Sequence, residues 1–176
     1  MFTELARRIA VAVVTGAALL VGTAPPGVAT TSRSPIPPDA NYHLVLEWGG
    51  RCLEERSQDG HVSQWGCHTG PTQVWRLVLD PTTGYHRIIN GATGRCLEVR
   101  GGSLSNGARV VGVTCQPNVK HQTWLLNPKP GVVVHEIKPR HSAKCLDIAH
   151  GGEGSVAHQW ECHGGGNQRW LIMPER

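Results

Sequence analysis

One compound pattern recurs three times and restricts the fold more than any other property of the chain. Cys52-Leu53-Glu54, Cys96-Leu97-Glu98 and Cys145-Leu146-Asp147 open three segments. Gln73-Val74-Trp75, Gln122-Thr123-Trp124 and Gln168-Arg169-Trp170 close them. Each segment holds one further cysteine: Cys67, Cys115 or Cys162. The closing tryptophan returns after 49 and then 46 residues. Repeats of this length are supersecondary units that cannot bury an apolar face alone, so three copies must share one core.

Within each repeat the local pattern is strand-like. Short β-branched and aliphatic runs lie between Gly, Asn, Asp and Pro clusters. The runs are 42–47, 52–56, 62–66 and 75–79, then 85–90, 95–100, 109–114 and 123–126, then 132–138, 144–148, 157–161 and 170–173. No stretch keeps a 3.6-residue apolar period, so helices should be few. Twelve short strands in three repeats, about 42–84, 85–131 and 132–176, predict a closed threefold all-β arrangement that hides most edges.

The first 29 residues read differently. Arg7 and Arg8 precede an apolar run from Ile9 to about Ala24, followed by the small-residue stretch Gly27-Val28-Ala29. That is the layout of a cleaved secretion signal, and the run is short for a membrane span. Residues 30–41, rich in Pro and Ser, read as a stiff lead-in. An exported chain with an even number of cysteines implies disulfides. Repeat symmetry selects 52–67, 96–115 and 145–162 from the fifteen possible pairings. No Cys-x-x-Cys knuckle is present, so no metal and no cofactor are expected. The net charge of +4 is too mild and too evenly spread for a nucleic-acid binder.

The repeats resemble those of the ricin B-type β-trefoil lectins of secreted bacterial type, the Q-x-W family also called carbohydrate-binding module family 13. The resemblance runs from about Tyr42 to Met173. It implies a β-trefoil with Trp75, Trp124 and Trp170 packed in the threefold core. It also implies a sugar site in each intact repeat: the opening Asp, the aromatic two residues before the second Cys, and the Asn before Gln-x-Trp. Those residue types suit a neutral sugar. Neighbouring hydroxyls donate to one carboxylate, an amide adds a donor and an acceptor, and the C–H face of the ring lies on an aromatic side chain.

The third repeat has the whole set: Asp147 to anchor hydroxyls, Trp160 to stack the ring and Asn167 to fix orientation, with Gln168 expected mainly to tie the backbone beside them and His158 where the family often has Gln. Histidine there links binding to pH. The first repeat is partial, with Glu54, Trp65 and Gln73 but Thr72 in place of the amide. Its cysteines are also the closest together in sequence. The second has Val113 at the aromatic position and His121 for Asn, and should serve only the fold.

The expected protein is a secreted, monomeric, non-catalytic carbohydrate binder, with no nucleic-acid partner and no membrane insertion after signal cleavage. Neither Gly-x-Ser-x-Gly nor His-Glu-x-x-His occurs. The three opening carboxylates should face three directions rather than one glycosidic bond. Two other readings stand beside this one. A protein-binding trefoil, such as a secreted protease inhibitor, would act through one exposed loop. An acidic polysaccharide would draw on Arg51, Arg56, Arg95, Arg100, Arg140 and Lys144 near the repeat openings.

Overall fold

The computed structural model describes residues 36–37, 39–56 and 59–175. The expected signal peptide, 1–29, and most of the lead-in lie outside the described residues. The first repeat forms β1 (Ala40–Leu46), β2 (Cys52–Arg56), β3 (His61–Trp65) and β4 (Val74–Leu79). The second forms β5 (His86–Asn90), β6 (Cys96–Val99), β7 (Val110–Val113) and β8 (Trp124–Pro128). The third forms β9 (His135–Pro139), β10 (Cys145–Ile148), β11 (Ala157–Trp160) and β12 (Trp170–Pro174). Among the described residues helix is confined to four single 3-10 turns, three of which end at the Gln of Gln-x-Trp. Every expected strand forms. The largest difference is the start of β9: Val132 and Val133 are β-branched yet exposed. They sit in the β8–β9 turn, closed by the Lys129 N–H donating to the Val134 carbonyl at 3.0 Å.

The pairings of β1 with β4 and β12, β4 with β5, β5 with β8, β8 with β9 and β9 with β12 close a six-stranded ring. Strands β2–β3, β6–β7 and β10–β11 form three hairpins. All pairings are antiparallel, and the closed ring leaves no open edge among its six strands. The three junctions between repeats use one bond three times. Gly91 N–H donates to Val74, Arg140 to Thr123 and Glu47 to Arg169, each carbonyl at 2.8 Å.

The core explains the repeat. Trp75, Trp124 and Trp170 are fully buried. Their indole N–H groups donate to Leu53, Leu97 and Leu146 carbonyls at 2.9, 2.9 and 3.1 Å. Each buried indole thus gains its area and satisfies its one donor on the adjacent hairpin. The disulfides Cys52–Cys67, Cys96–Cys115 and Cys145–Cys162 pin each repeat's opening to its middle.

Neighbouring repeats interlock through the hairpins. Gln159 donates to the Ser103 and Ser105 carbonyls at 2.7 and 3.0 Å, anchoring the long second-repeat loop. Gln64 does the same to Gly151 and Gly152 at 3.0 and 2.8 Å. At the third equivalent place stands Gly112, whose N–H donates to the Gly60 carbonyl of the short first-repeat turn at 2.8 Å. A Cβ on Gly112 would stand 2.4 Å from the Glu55 carboxyl carbon. Glu55 is fully buried, and that burial pushes its carboxyl pKa up. Thr93 and Arg95, at 2.9 and 3.3 Å, partly oppose the shift.

Candidate functional site

Each repeat builds the same polar clamp behind its opening acid. The Gln of Gln-x-Trp donates one amide hydrogen to the carboxylate: Gln73 to Glu54 at 2.9 Å, Gln122 to Glu98 at 2.8 Å, Gln168 to Asp147 at 2.6 Å. Its second hydrogen goes to a carbonyl just before the second cysteine, on Gly66, Thr114 or Glu161. Its oxygen accepts the N–H just after that cysteine, on His68, Gln116 or His163. These amides are buried and fully used. Gln73 and Gln168, expected near a ligand, therefore hold the carboxylates from behind and present no free hydrogen outward.

In the third repeat the register Cys145↔Trp160 and Asp147↔His158 puts all four side chains on one face of the β10–β11 hairpin. Asp147 is only 2% exposed. Its Oδ1 accepts the Asn167 amide at 2.9 Å and lies 3.1 Å from His158 Nε2. Its Oδ2 accepts Gln168 and has His163 Nε2 at 3.5 Å, long for a hydrogen bond. Oδ1 thus has two close partners, and Oδ2 has one close partner and a half-exposed imidazole farther off. Trp160 is 41% exposed, with its ring centroid 5.7 Å from that of His158. The structure brings together Asp147, His158, Trp160, Asn167 and Gln168. His158 and Asn167 orient the acid as well as lining the space.

The second repeat, though lacking its own aromatic, supports this platform. A Cβ at its Gly107 would stand 3.6 Å from the Trp160 ring, and Asn106 accepts the Glu161 N–H at 3.1 Å. In its own repeat Glu98 shares a hairpin face with the partly buried Val113, with Gln122 and the Gly101 N–H on its two oxygens.

The first repeat fills its own pocket. The Arg56 guanidinium lies 4.0 Å from the Trp65 ring centroid and 3.5 Å from Glu54 Oε1. It covers a ring face as a cation–π partner. The Thr72 hydroxyl and His68 crowd the same carboxylate at 3.3 and 3.5 Å. The deciding position is two residues past the opening acid: Arg56, Arg100, Ala149. A small side chain in the third repeat leaves Trp160 uncovered. Aligning the repeats displays that difference, but its consequence appears only when Arg56 is seen on the ring.

Four of the six basic residues near the openings are already engaged. Arg56 lies on Trp65, Arg95 on Glu55, Lys144 within 3.7 Å of Glu161, and Arg140 over Tyr85. Glu136 lies near Cys145 and Cys162, but disulfide sulfurs lack the thiolate that a metal requires.

Among solved structures the chain is similar to the designed threefold-symmetric protein ThreeFoil. Identity is 30% at a TM-score of 0.71, covering 77% of this chain and 99% of that one. It is also similar to an exo-β-1,3-galactanase from Clostridium thermocellum, with 29% identity and a TM-score of 0.71. That match covers 79% of this chain but only 31% of the galactanase. A Macrolepiota procera ricin B-like lectin, solved with lactose, shares the fold at 16% identity and a TM-score of 0.69, covering 80% and 99% of the two chains. No curated protein matches in sequence. Residues 36–113 and 120–176 match the family described as ricin-type beta-trefoil lectin domain-like, and with the threefold barrel, the Trp core and the Gln clamps in place, the chain belongs to that family.

Proposed function

We propose that this protein is a secreted carbohydrate-binding protein that works without chemistry, through its third repeat. One observation supports this above the rest. Asp147 is held by Asn167 and Gln168 on the same hairpin face as the exposed Trp160. Sugar hydroxyls would donate to Asp147 Oδ2 beside the half-exposed His163 imidazole, while the ring lies on Trp160. Three disulfides and, among the described residues, no helix able to cross a membrane are consistent with an extracellular location. The first repeat stays closed by Arg56, and the protein acts as a monomer.

A single shallow site gives dissociation constants of about micromolar to millimolar. Polymeric targets would raise the apparent strength through repeated engagement. The lactose and galactanase relatives make galactose-containing glycans natural first ligands to try. The test is a glycan array of the oxidised chain beside Trp160→Ala. Selective binding lost in the variant supports the reading, and a folded chain that binds nothing on the array ends it.

A further inference from the structure

Five of the six tryptophans have an evident place. Three fill the core, Trp160 walls the third-repeat pocket, and Trp65 lies under Arg56. Trp48 does not. It stands in the β1–β2 turn and is 53% exposed. The fold does not need tryptophan there, because the equivalent positions four residues before the opening cysteine are Ala92 and His141. A residue required by the threefold frame would recur.

Its position is nevertheless fixed. The Trp48 N–H donates to the Gly166 carbonyl at 3.2 Å, and Gly50 closes the turn onto Leu46 at 3.1 Å. Glu47 pairs with Arg169 beside it. The indole meets the His150 ring at 70° with centroids 5.4 Å apart. Together they line an open cleft of about 560 Å³ whose other walls include His163 and Asn167. These are the two residues that also stand on Asp147. The cleft therefore reaches two residues that also hold Asp147, and it carries an exposed tryptophan of its own beside the exposed Trp160 of the third-repeat hairpin.

We propose that Trp48, with His150, His163 and Asn167, forms a second sugar subsite continuous with the Asp147 pocket. The third repeat would then take at least two consecutive units of a neutral oligosaccharide rather than a single terminal residue. This rests on the carbohydrate reading of Asp147 and Trp160. Trp48 offers a stacking face to the second ring, and the imidazoles and the Asn167 amide oxygen offer hydrogen bonds to its hydroxyls.

The experiment is titration of the full oxidised chain with ladders of one to six units of β-galacto-, xylo- and gluco-oligosaccharides, repeated with Trp48→Ala and Trp160→Ala. Wild type should gain about tenfold in affinity or more between one unit and two or three, a difference of about 1.4 kcal/mol. Trp48→Ala should remove that gain and leave monosaccharide affinity within about twofold, whereas Trp160→Ala should weaken both. The Trp48 indole N–H resonance should move with the two-unit ligand and not with the one-unit ligand. Equal affinity along a ladder that binds, or a gain that survives Trp48→Ala, overturns the subsite alone. A wild-type chain that binds no member of any ladder overturns the carbohydrate reading and the subsite with it.

Discussion

At the scale of single residues, the difference between a working and a closed pocket comes down to what lies on a tryptophan face. Arg56 covers Trp65, whereas Ala149 leaves Trp160 bare. Replacing Arg56 by Ala should expose Trp65 to acrylamide quenching and cost only about 0.5–1 kcal/mol of stability, the size of an exposed cation–π contact. No change in quenching would mean that Arg56 does not shield the ring in solution. Asp147→Asn, which keeps the shape but removes the charge that receives sugar hydroxyls, should lower affinity about tenfold or more while the chain stays folded. Calorimetric titration with the glycan identified on the array checks this.

At the scale of elements, the hairpins matter because each repeat leans on the next. Gln159 is buried on β11, bonding to the Ser103 and Ser105 carbonyls and accepting the Ser142 hydroxyl at 2.8 Å. Gln159→Ala should cost about 1–3 kcal/mol, the usual consequence of stranding buried polar groups. It should also weaken glycan binding without touching the ligand, because the 101–107 loop that steadies Trp160 comes loose. Chemical denaturation and binding measured on the same sample separate the two effects. A stability loss with unchanged affinity would assign the loop to the fold alone. Gln122 serves a different element. Its loss would take one hydrogen bond from the buried Glu98 carboxylate, in a repeat with no aromatic platform, so Gln122→Ala should lower stability and leave sugar affinity nearly unchanged.

At the scale of the whole molecule, stability should fall on the acid side. Burial of His86 on β5 holds its imidazole pKa below the usual 6.5. The unfolded chain then binds that proton more readily, so this contribution is present above about 6.5 and is lost as pH falls through the lowered value. Glu136 behaves in the same sense at lower pH. Burial alone would raise its pKa, but Lys129 and Lys138 at 2.6 and 2.9 Å outweigh this and lower it from 4.5. Its contribution is present above that value and goes as pH drops below it. Glu55, raised by burial, has the opposite sign. Thermal unfolding midpoints should therefore drop between pH 7 and about pH 5.5, and less so in His86→Phe. Equal drops in the two proteins would rule His86 out as the source. Reducing the disulfides should destabilise far more, by about 2–4 kcal/mol for each of the three loops.

The sequence by itself determined the threefold strand order, the Trp core, the disulfide pairing and which repeat holds a complete set of sugar-suited side chains. The strands and the disulfide pairing follow from residue types recurring at fixed spacing, which survives in one dimension; the Trp core and the sugar-suited set follow from the family resemblance that those recurring residues carry. The exposed Val132–Val133 turn differed because β-branched residues signal strand locally, while closure of the hairpin is set by pairing across it. Only the tertiary structure decided which groups share a space. It turned Gln73 and Gln168 inward as clamps, laid Arg56 over Trp65, and set the second-repeat loop beneath Trp160. It also placed Trp48 beside Asn167, 119 positions away along the chain. The last two join residues of different repeats, and the first two join residues distant within one repeat. Their energy depends on distances of a few ångströms between side chains that no local pattern relates.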